Sequence, residues 1–415
     1  MTAEAEQAPR MQTSPARQPS RVDTMYTTLL EQPISLYAAS VLRIGYGLLY
    51  LAFLLREFPH RQEIWGPDSP WTPALATQLF DQTGWFSILT LSDSPLYFEG
   101  CYALAVVTCA LFMLGWRSRA MSVVFAVVVA SFHARAIFMT DGGDNLMLLM
   151  AMYLCLTACG RRWSLDARRN RLRESTGGRA SRSTRLGAPD LWCQLVAARR
   201  LLVTVVHNCG MFVIAAQVCI LYGSAGLYKV QGGLWANGTA LHFVMNLGLF
   251  RPWPTLSHMV DTQLMLVAVV SYLTVLVQVA FPFVLFGRLK YVFVAILLGM
   301  HLGIAVLLGL PLFSGAMIVA DAVFLPDRFY RFLGRTWGRV FSRAAPHEDG
   351  ALQAGAVGGE MDFADEVAAS ADWPPVVRER AGPAKRGPRP TRPGLHHRGP
   401  SRSDDVFGGR PTESD

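Results

Sequence analysis

The sequence predicts an all-α protein, a polytopic membrane helical bundle of about eight transmembrane helices between disordered termini. Three observations carry that prediction. Hydrophobic residues make up 52% of the 415 and charged residues 16%, a balance that favours a membrane protein over two or three soluble domains. Apolar runs recur from Ile34 to Leu325, and several reach the roughly 20 residues that a helix needs to cross the hydrocarbon layer. Basic residues cluster in every second connection, as the positive-inside rule requires.

Residues 1–33 are rich in Ala, Pro, Gln, Ser and Thr with no apolar period, and read as a disordered cytoplasmic tail. The run ISLYAASVLRIGYGLLYLAFLL, which starts at Ile34, is long enough to span and lacks a small-residue cleavage pattern after it, so it reads as the first span and not a signal peptide. Arg43 lies inside it. A charge at that depth costs roughly 2.5–3.5 kcal/mol on insertion scales, so it requires backbone carbonyls, a carboxylate or a substrate as partner. Residues 56–97 are too polar and too broken by proline to span, and Trp65, Trp71 and Trp85 mark them as interfacial. Further spans are expected over about 98–114, 120–139, 145–160, 207–228, 263–286, 291–310 and 312–325. The bundle domain therefore covers 34–326, and a basic, mostly disordered cytoplasmic tail covers 327–415.

Charge placement fixes the expected orientation. With the N-terminus inside, the inner connections are GWRSR, the Arg-rich loop 161–200, GRLK and the tail that opens with Arg328 and Arg331. The outer segments 56–97, 140–144 and 229–262 are poor in basic residues. Both termini are then cytoplasmic, and the chain is a multi-pass protein of the cell membrane whose first partner is the lipid bilayer. Basic residues interleaved with a stacking surface are absent, which argues against nucleic-acid binding. Six of the cysteines fall within apolar runs, so neither a disulfide framework nor a metal site is expected, and the pair His396 and His397 sits in a low-complexity tail.

The stretch VCILYGSAGLYKVQGGLWANGT, from Val218 to Thr239, is the most unusual in the chain. Lys229 is one of only three lysines among 38 basic residues. Arg stays protonated in a protein, whereas a desolvated Lys can lose its proton and act as a base. A lysine at a helix end also serves as an interfacial anchor. His301 lies in the apolar GMHLGIAVLLG, where an imidazole requires a partner or a wet pocket. His133, Arg135 and the turn DGGDN, with Asp144 and Asn145, gather toward the same outer half, while Gln217 and Gln278 read as helix-bridging amides. Lys229 and His301 are the candidate catalytic residues, and Arg135, Asp144, Asn145 and Trp235 the candidate substrate-binding ones.

The runs AGLYKVQGGLWANGTAL and FMTDGGDNLMLLMAMYL, the latter followed by GRRWSLDARR, and His301 with the later LPLFSGAMIVADAVFLP resemble the bacterial HTTM family. Its membrane domain is similar to that of vitamin K-dependent gamma-carboxylase. The resemblance covers about 34–326. It implies a quinol-dependent site, using reduced menaquinone or vitamin K, in which Lys229 matches the lysine that deprotonates the quinol and His301 a histidine on a later helix. Three departures stand against carboxylation of protein glutamate. Gly143, Asp144, Asn145 and Leu146 replace a histidine-bearing motif, Gln278 stands in for an acidic residue, and the C-terminal tail differs from the carboxylase's luminal region. Two functions follow: a quinol-using enzyme of unknown substrate, or a non-catalytic membrane protein of a partner-binding, immunity or transport system.

Overall fold

A computed structural model describes residues 30–177, 191–285 and 287–344. The tails expected over 1–29 and 345–415, with His396 and His397, lie outside the described residues. So does 178–190 of the basic loop. Among the described residues every regular element is helical, and no strand is present.

Helix α1 (Leu36–Arg56) forms the centre of the first half of the bundle. Short helices α2 (Arg61–Ile64) and α3 (Pro73–Thr83) follow in the proline-broken segment. Then come α4 (Pro95–Leu114), α5 (Ser118–Arg135) and α6 (Gly142–Leu154). The Arg-rich stretch expected as a loop begins with α7 (Leu165–Gly177) and ends inside α8 (Leu191–Val230), an unbroken helix of 40 residues. The second half continues through α9 (Gly233–Ala236), α10 (Ala240–Asn246), α11 (Pro254–Asp261), α12 (Leu264–Val284), α13 (Lys290–Leu307) and α14 (Pro311–Asp321). Helix α15 (Asp327–Ala344) closes the described chain.

Five of these helices, α1, α4, α8, α12 and α13, are long and apolar enough to cross a membrane. The other three expected spans map onto shorter or more polar helices. Helix α5 has 18 residues with Arg119, His133 and Arg135 near its ends, α6 has 13, and the α14 segment runs only from Pro311 to Phe324. The chain is therefore a candidate multi-pass membrane protein by its apolar helices.

Arg43 shows how the first half is locked. Its guanidinium donates to the carbonyls of Phe112 (2.8 Å), Met113 (2.6 Å), Cys159 (3.3 Å) and Trp163 (2.6 Å), and the side chain is fully buried. Phe112 and Met113 sit in the last turn of α4, where carbonyls run out of i+4 partners and the Phe112 oxygen is shared between Arg43 and the Gly115 N–H. Gly115 follows with φ 74°, and a Cβ there would lie 2.5 Å from Arg43 Nη1, so both conformation and space demand glycine. Nearby, His207 Nδ1 accepts from the Ala158 N–H (3.0 Å) and Asn208 Oδ1 from the Ile34 N–H (2.9 Å), tying α8 to both neighbouring connections.

Trp65 departs from the interfacial reading. It is 3% exposed and packs edge-on against Phe53 and Phe132, because α2 folds it back over the bundle. Trp85, at 42% exposed, keeps the surface position expected of it. The tail expected from residue 327 opens with a helix, since RFYRFLGR spaces aromatics at helical intervals with arginines between them. Its Tyr330 is buried, donates to the Ala322 carbonyl (2.5 Å) and meets Trp163 edge-on.

Helices α8 and α12 pack closely where Gly226 meets Val279. A Cβ on Gly226 would fall 2.8 Å from both the backbone nitrogen and Cγ2 of Val279. Backbone cannot yield as a flexible side chain does, so Gly226→Ala should force the helices apart and cost about 1–3 kcal/mol. Chemical unfolding in mixed micelles measures this, and wild-type stability in the variant would show that the contact is not tight.

Candidate functional site

Three helices bring a buried polar chain together. Tyr222 on α8 donates its hydroxyl to Asp321 Oδ2 at the end of α14 (2.9 Å), and the Tyr222 hydroxyl oxygen also lies 3.0 Å from His301 Nε2 on α13. All three residues are buried at 3% exposure or less. A phenol has one proton to give. With that proton directed at Asp321, the second bond requires Nε2 to carry the imidazole hydrogen, which leaves Nδ1 as an acceptor. Both ends of the chain are open, because His301 Nδ1 and Asp321 Oδ1 are buried without a hydrogen-bond partner among the described residues.

Aromatic rings wall the chain in. Phe281 stands edge-on to Tyr222 with centroids 5.2 Å apart, and Phe313 edge-on to His301 at 5.9 Å. Gln278 on α12 reaches Met300 Sδ with its amide nitrogen (3.7 Å), while its buried Oε1 has no hydrogen-bond partner among the described residues. Such a site is expensive in an apolar bundle interior, where unsatisfied polar atoms have no water to turn to.

Lys229 lies seven residues beyond Tyr222, and so on the same face of α8, about 10.5 Å along it. Its Nζ is 3.4 Å from the Ala225 carbonyl oxygen and 5.4 Å from the centre of the Trp235 ring. No direct bond joins it to His301 among the described residues. The break at Gly232 turns the chain so that Trp235, on α9, folds back over the lysine. That ring forms one wall of an apolar groove of about 400 Å³, completed by Val230, Tyr272, Val275, Leu276 and Val279.

The other candidates sit elsewhere. Asp144 lines a separate cavity of about 320 Å³ beside Tyr50, Trp65, His133, Met147 and Phe313. Its carboxylate also accepts from the Asp141 N–H (3.0 Å), completing a capping box with Asp141 at the start of α6. Asn145 is exposed and donates to the Asp141 carbonyl (3.0 Å), so it belongs to the same cap and does not face the cavity. Arg135 is fully buried and donates to the Gly66 carbonyl (3.0 Å), holding the 56–97 segment to α5. Phe313 touches both regions, lining the cavity on one side and meeting His301 on the other.

On the segment after α9, His242 Nδ1 pairs with Asp261 Oδ1 (2.6 Å) and Asn246 donates to Oδ2 (3.0 Å). Burial pushes the Asp261 carboxyl up, but these hydrogen bonds and the charges of His242 and His258 outweigh it and leave its pKa below the ordinary carboxylate value.

Sequence reasoning missed Tyr222 and Asp321 as partners of His301. A signal was available for Asp321, an acid inside an apolar run. None distinguished Tyr222, because a tyrosine in an apolar helix is ordinary. No group of His, Cys, Asp and Glu able to hold a metal ion occurs among the described residues. The chain matches no protein-family model, and no curated protein and no solved structure matches it. The class that the fold and this site define is a helical protein with candidate membrane spans and a buried Tyr–His–Asp chain.

Proposed function

We propose that the chain is a multi-pass membrane protein of the HTTM type, crossing eight times over 34–326 with both termini cytoplasmic, and that it is an acid–base enzyme acting on a membrane quinol. The observation that carries the reading is the His301–Tyr222–Asp321 chain, buried on one face of α8 two turns from Lys229. Paired titratable groups in a dry site are what proton transfer requires.

The residues present fit a reduced menaquinone or vitamin K. An aromatic ring system with an isoprenoid tail requires an apolar slot, and the groove beside Trp235 has such walls and a volume in the range of small-molecule sites, which begins at about 300 Å³. Trp235 and Tyr272 would stack on the ring, and Lys229 would take the proton of its hydroxyl. When bound, a quinol supplies reducing equivalents for chemistry with oxygen. His301 would act as a positioning residue, holding a proton at Nε2 toward Tyr222 and presenting Nδ1 as an acceptor.

A non-catalytic reading has its own support. The Lys229 side chain already meets a carbonyl and an aromatic face, as an anchor would. One experiment separates the two. Protein in lipid discs is given reduced menaquinone and oxygen, and quinone epoxide is sought by mass spectrometry. Epoxide that disappears in well-folded Lys229→Ala and Lys229→Arg variants is expected. Equal product from the arginine variant, or none from wild type, would favour the anchor.

A further inference from the structure

The densest positive charge among the described residues lies at the other end of α8, about 43 Å along the helix from Lys229 to Arg200. There the start of α5, the connection after α6, and helices α7 and α8 enclose a pocket of about 470 Å³. Its lining includes Arg119, Arg161, Arg169, Arg173, Arg199 and Arg200, with Asp166 as the one carboxylate. That carboxylate is already occupied. It accepts from the backbone N–H of Arg117 (3.0 Å) and of Ser118 (2.7 Å) and from Ser118 Oγ (2.9 Å), capping α5. Among the described residues no carboxylate forms an ion pair with Arg119, Arg169, Arg173, Arg199 or Arg200.

Six guanidinium groups around one cavity repel each other. Burial, then the charges of Arg119, Arg162 and Arg200, push the Arg161 pKa down. Arginine does not escape by losing its proton, so the repulsion among Arg119, Arg169, Arg173, Arg199 and Arg200 persists until an anion offsets it. The residue type narrows which anion. All six cations are arginine, whose planar fork matches the oxygens of phosphate. Arg169 and Arg173 are one turn apart on α7, and Arg199 and Arg200 face them between Val196 and Val203 of α8. The valines give the pocket an apolar margin next to the charge. Basic pockets at the ends of membrane helices hold lipid headgroups by this arrangement.

We propose that this pocket binds a phosphate-bearing anion, carried either by the headgroup of an anionic phospholipid or by a soluble polyphosphate. The site is independent of the quinol reading and stands if that reading fails. The full chain, purified in detergent, is titrated with diphosphatidylglycerol and with phosphatidylcholine by native mass spectrometry, and with inorganic pyrophosphate by calorimetry. Diphosphatidylglycerol is expected to bind in preference to phosphatidylcholine. Arg169→Gln combined with Arg173→Gln should weaken that binding about 25-fold, close to a factor of five per arginine. The corresponding Lys pair should recover part of the loss, and Arg288→Gln, outside the pocket, should change nothing.

Pyrophosphate binding that is lost in the Gln pair, without lipid preference, would assign the site to a soluble anion and uphold the phosphate chemistry. Arg199→Gln with Arg200→Gln, on a different helix, repeats the test should the first pair fold poorly. Lipid and pyrophosphate binding that is absent in wild type, or unchanged in both Gln pairs, would overturn the proposal.

Discussion

Replacing Arg43 with methionine is expected to lower stability by about 3–5 kcal/mol, enough to prevent folding in many domains. Methionine fills much of the arginine's volume, so the loss measures hydrogen bonding more than a cavity. Four carbonyls, from Phe112, Met113, Cys159 and Trp163, lose their donor together. The Phe112 carbonyl keeps the Gly115 N–H and the Cys159 carbonyl keeps Ser40 Oγ, so the full cost of an unpaired acceptor, roughly 1–3 kcal/mol each, falls on Met113 and Trp163, and the losses do not add independently because the helices relax together. The last turn of α4 also loses the cation that complements its helix dipole. Arg43→Lys should recover only part of this, since one ammonium cannot fork toward carbonyls on opposite sides. Unfolding of the purified protein in mixed micelles, followed by circular dichroism, gives the comparison. A methionine variant within about 1 kcal/mol of wild type would show that water replaces the guanidinium.

The second large effect is expected at Tyr222. Tyr222→Phe removes one hydroxyl but strands two groups, Asp321 Oδ2 and His301 Nε2, each buried and each bonded to that oxygen. A cost of about 2–4 kcal/mol follows from losing two bonds in a dry site. Asp321→Asn keeps the shape while replacing the carboxyl group with an amide. If the three residues act as a unit, the double variant should be less destabilised than the sum of the singles, by about 0.5–3 kcal/mol. Simple additivity would mean that Tyr222 and Asp321 are not coupled.

Much of the helical architecture was legible because apolar runs of the right length are sufficient to define it. Arg43 announced a need for partners, but only the fold brings the end of α4 and the connection after α6 around it. The 161–200 stretch hid its helices. Eleven arginines look like a loop when read for membrane topology, yet arginine is a good helix former, and α7 and the start of α8 use it so. Composition also obscured the pocket, since charges on three helices and one connection converge only in three dimensions.

The candidate site was legible in a different way. His301 stood out because imidazole is costly in an apolar helix, and Lys229 because this chain otherwise writes its charges as arginine. Their relation was not readable, and neither was the division that leaves Arg135 and Asn145 serving local structure while Asp144 also borders a cavity. Short-range chemistry explains that division. Asp141, Asp144 and Asn145 satisfy the exposed start of α6, a demand that any helix makes and that a search for binding residues does not anticipate.

Helix α8 runs 40 residues without interruption, about 60 Å, or twice the hydrocarbon thickness of a bilayer. It carries Arg199 and Arg200 near one end and Tyr222 and Lys229 near the other. A tilt of one degree between Arg200 and Lys229 displaces the far end by about 0.8 Å, a fraction of a hydrogen bond's length. The Tyr222 hydroxyl and the arginine pocket are thus carried by one continuous helix, so a rigid tilt of α8 would move both.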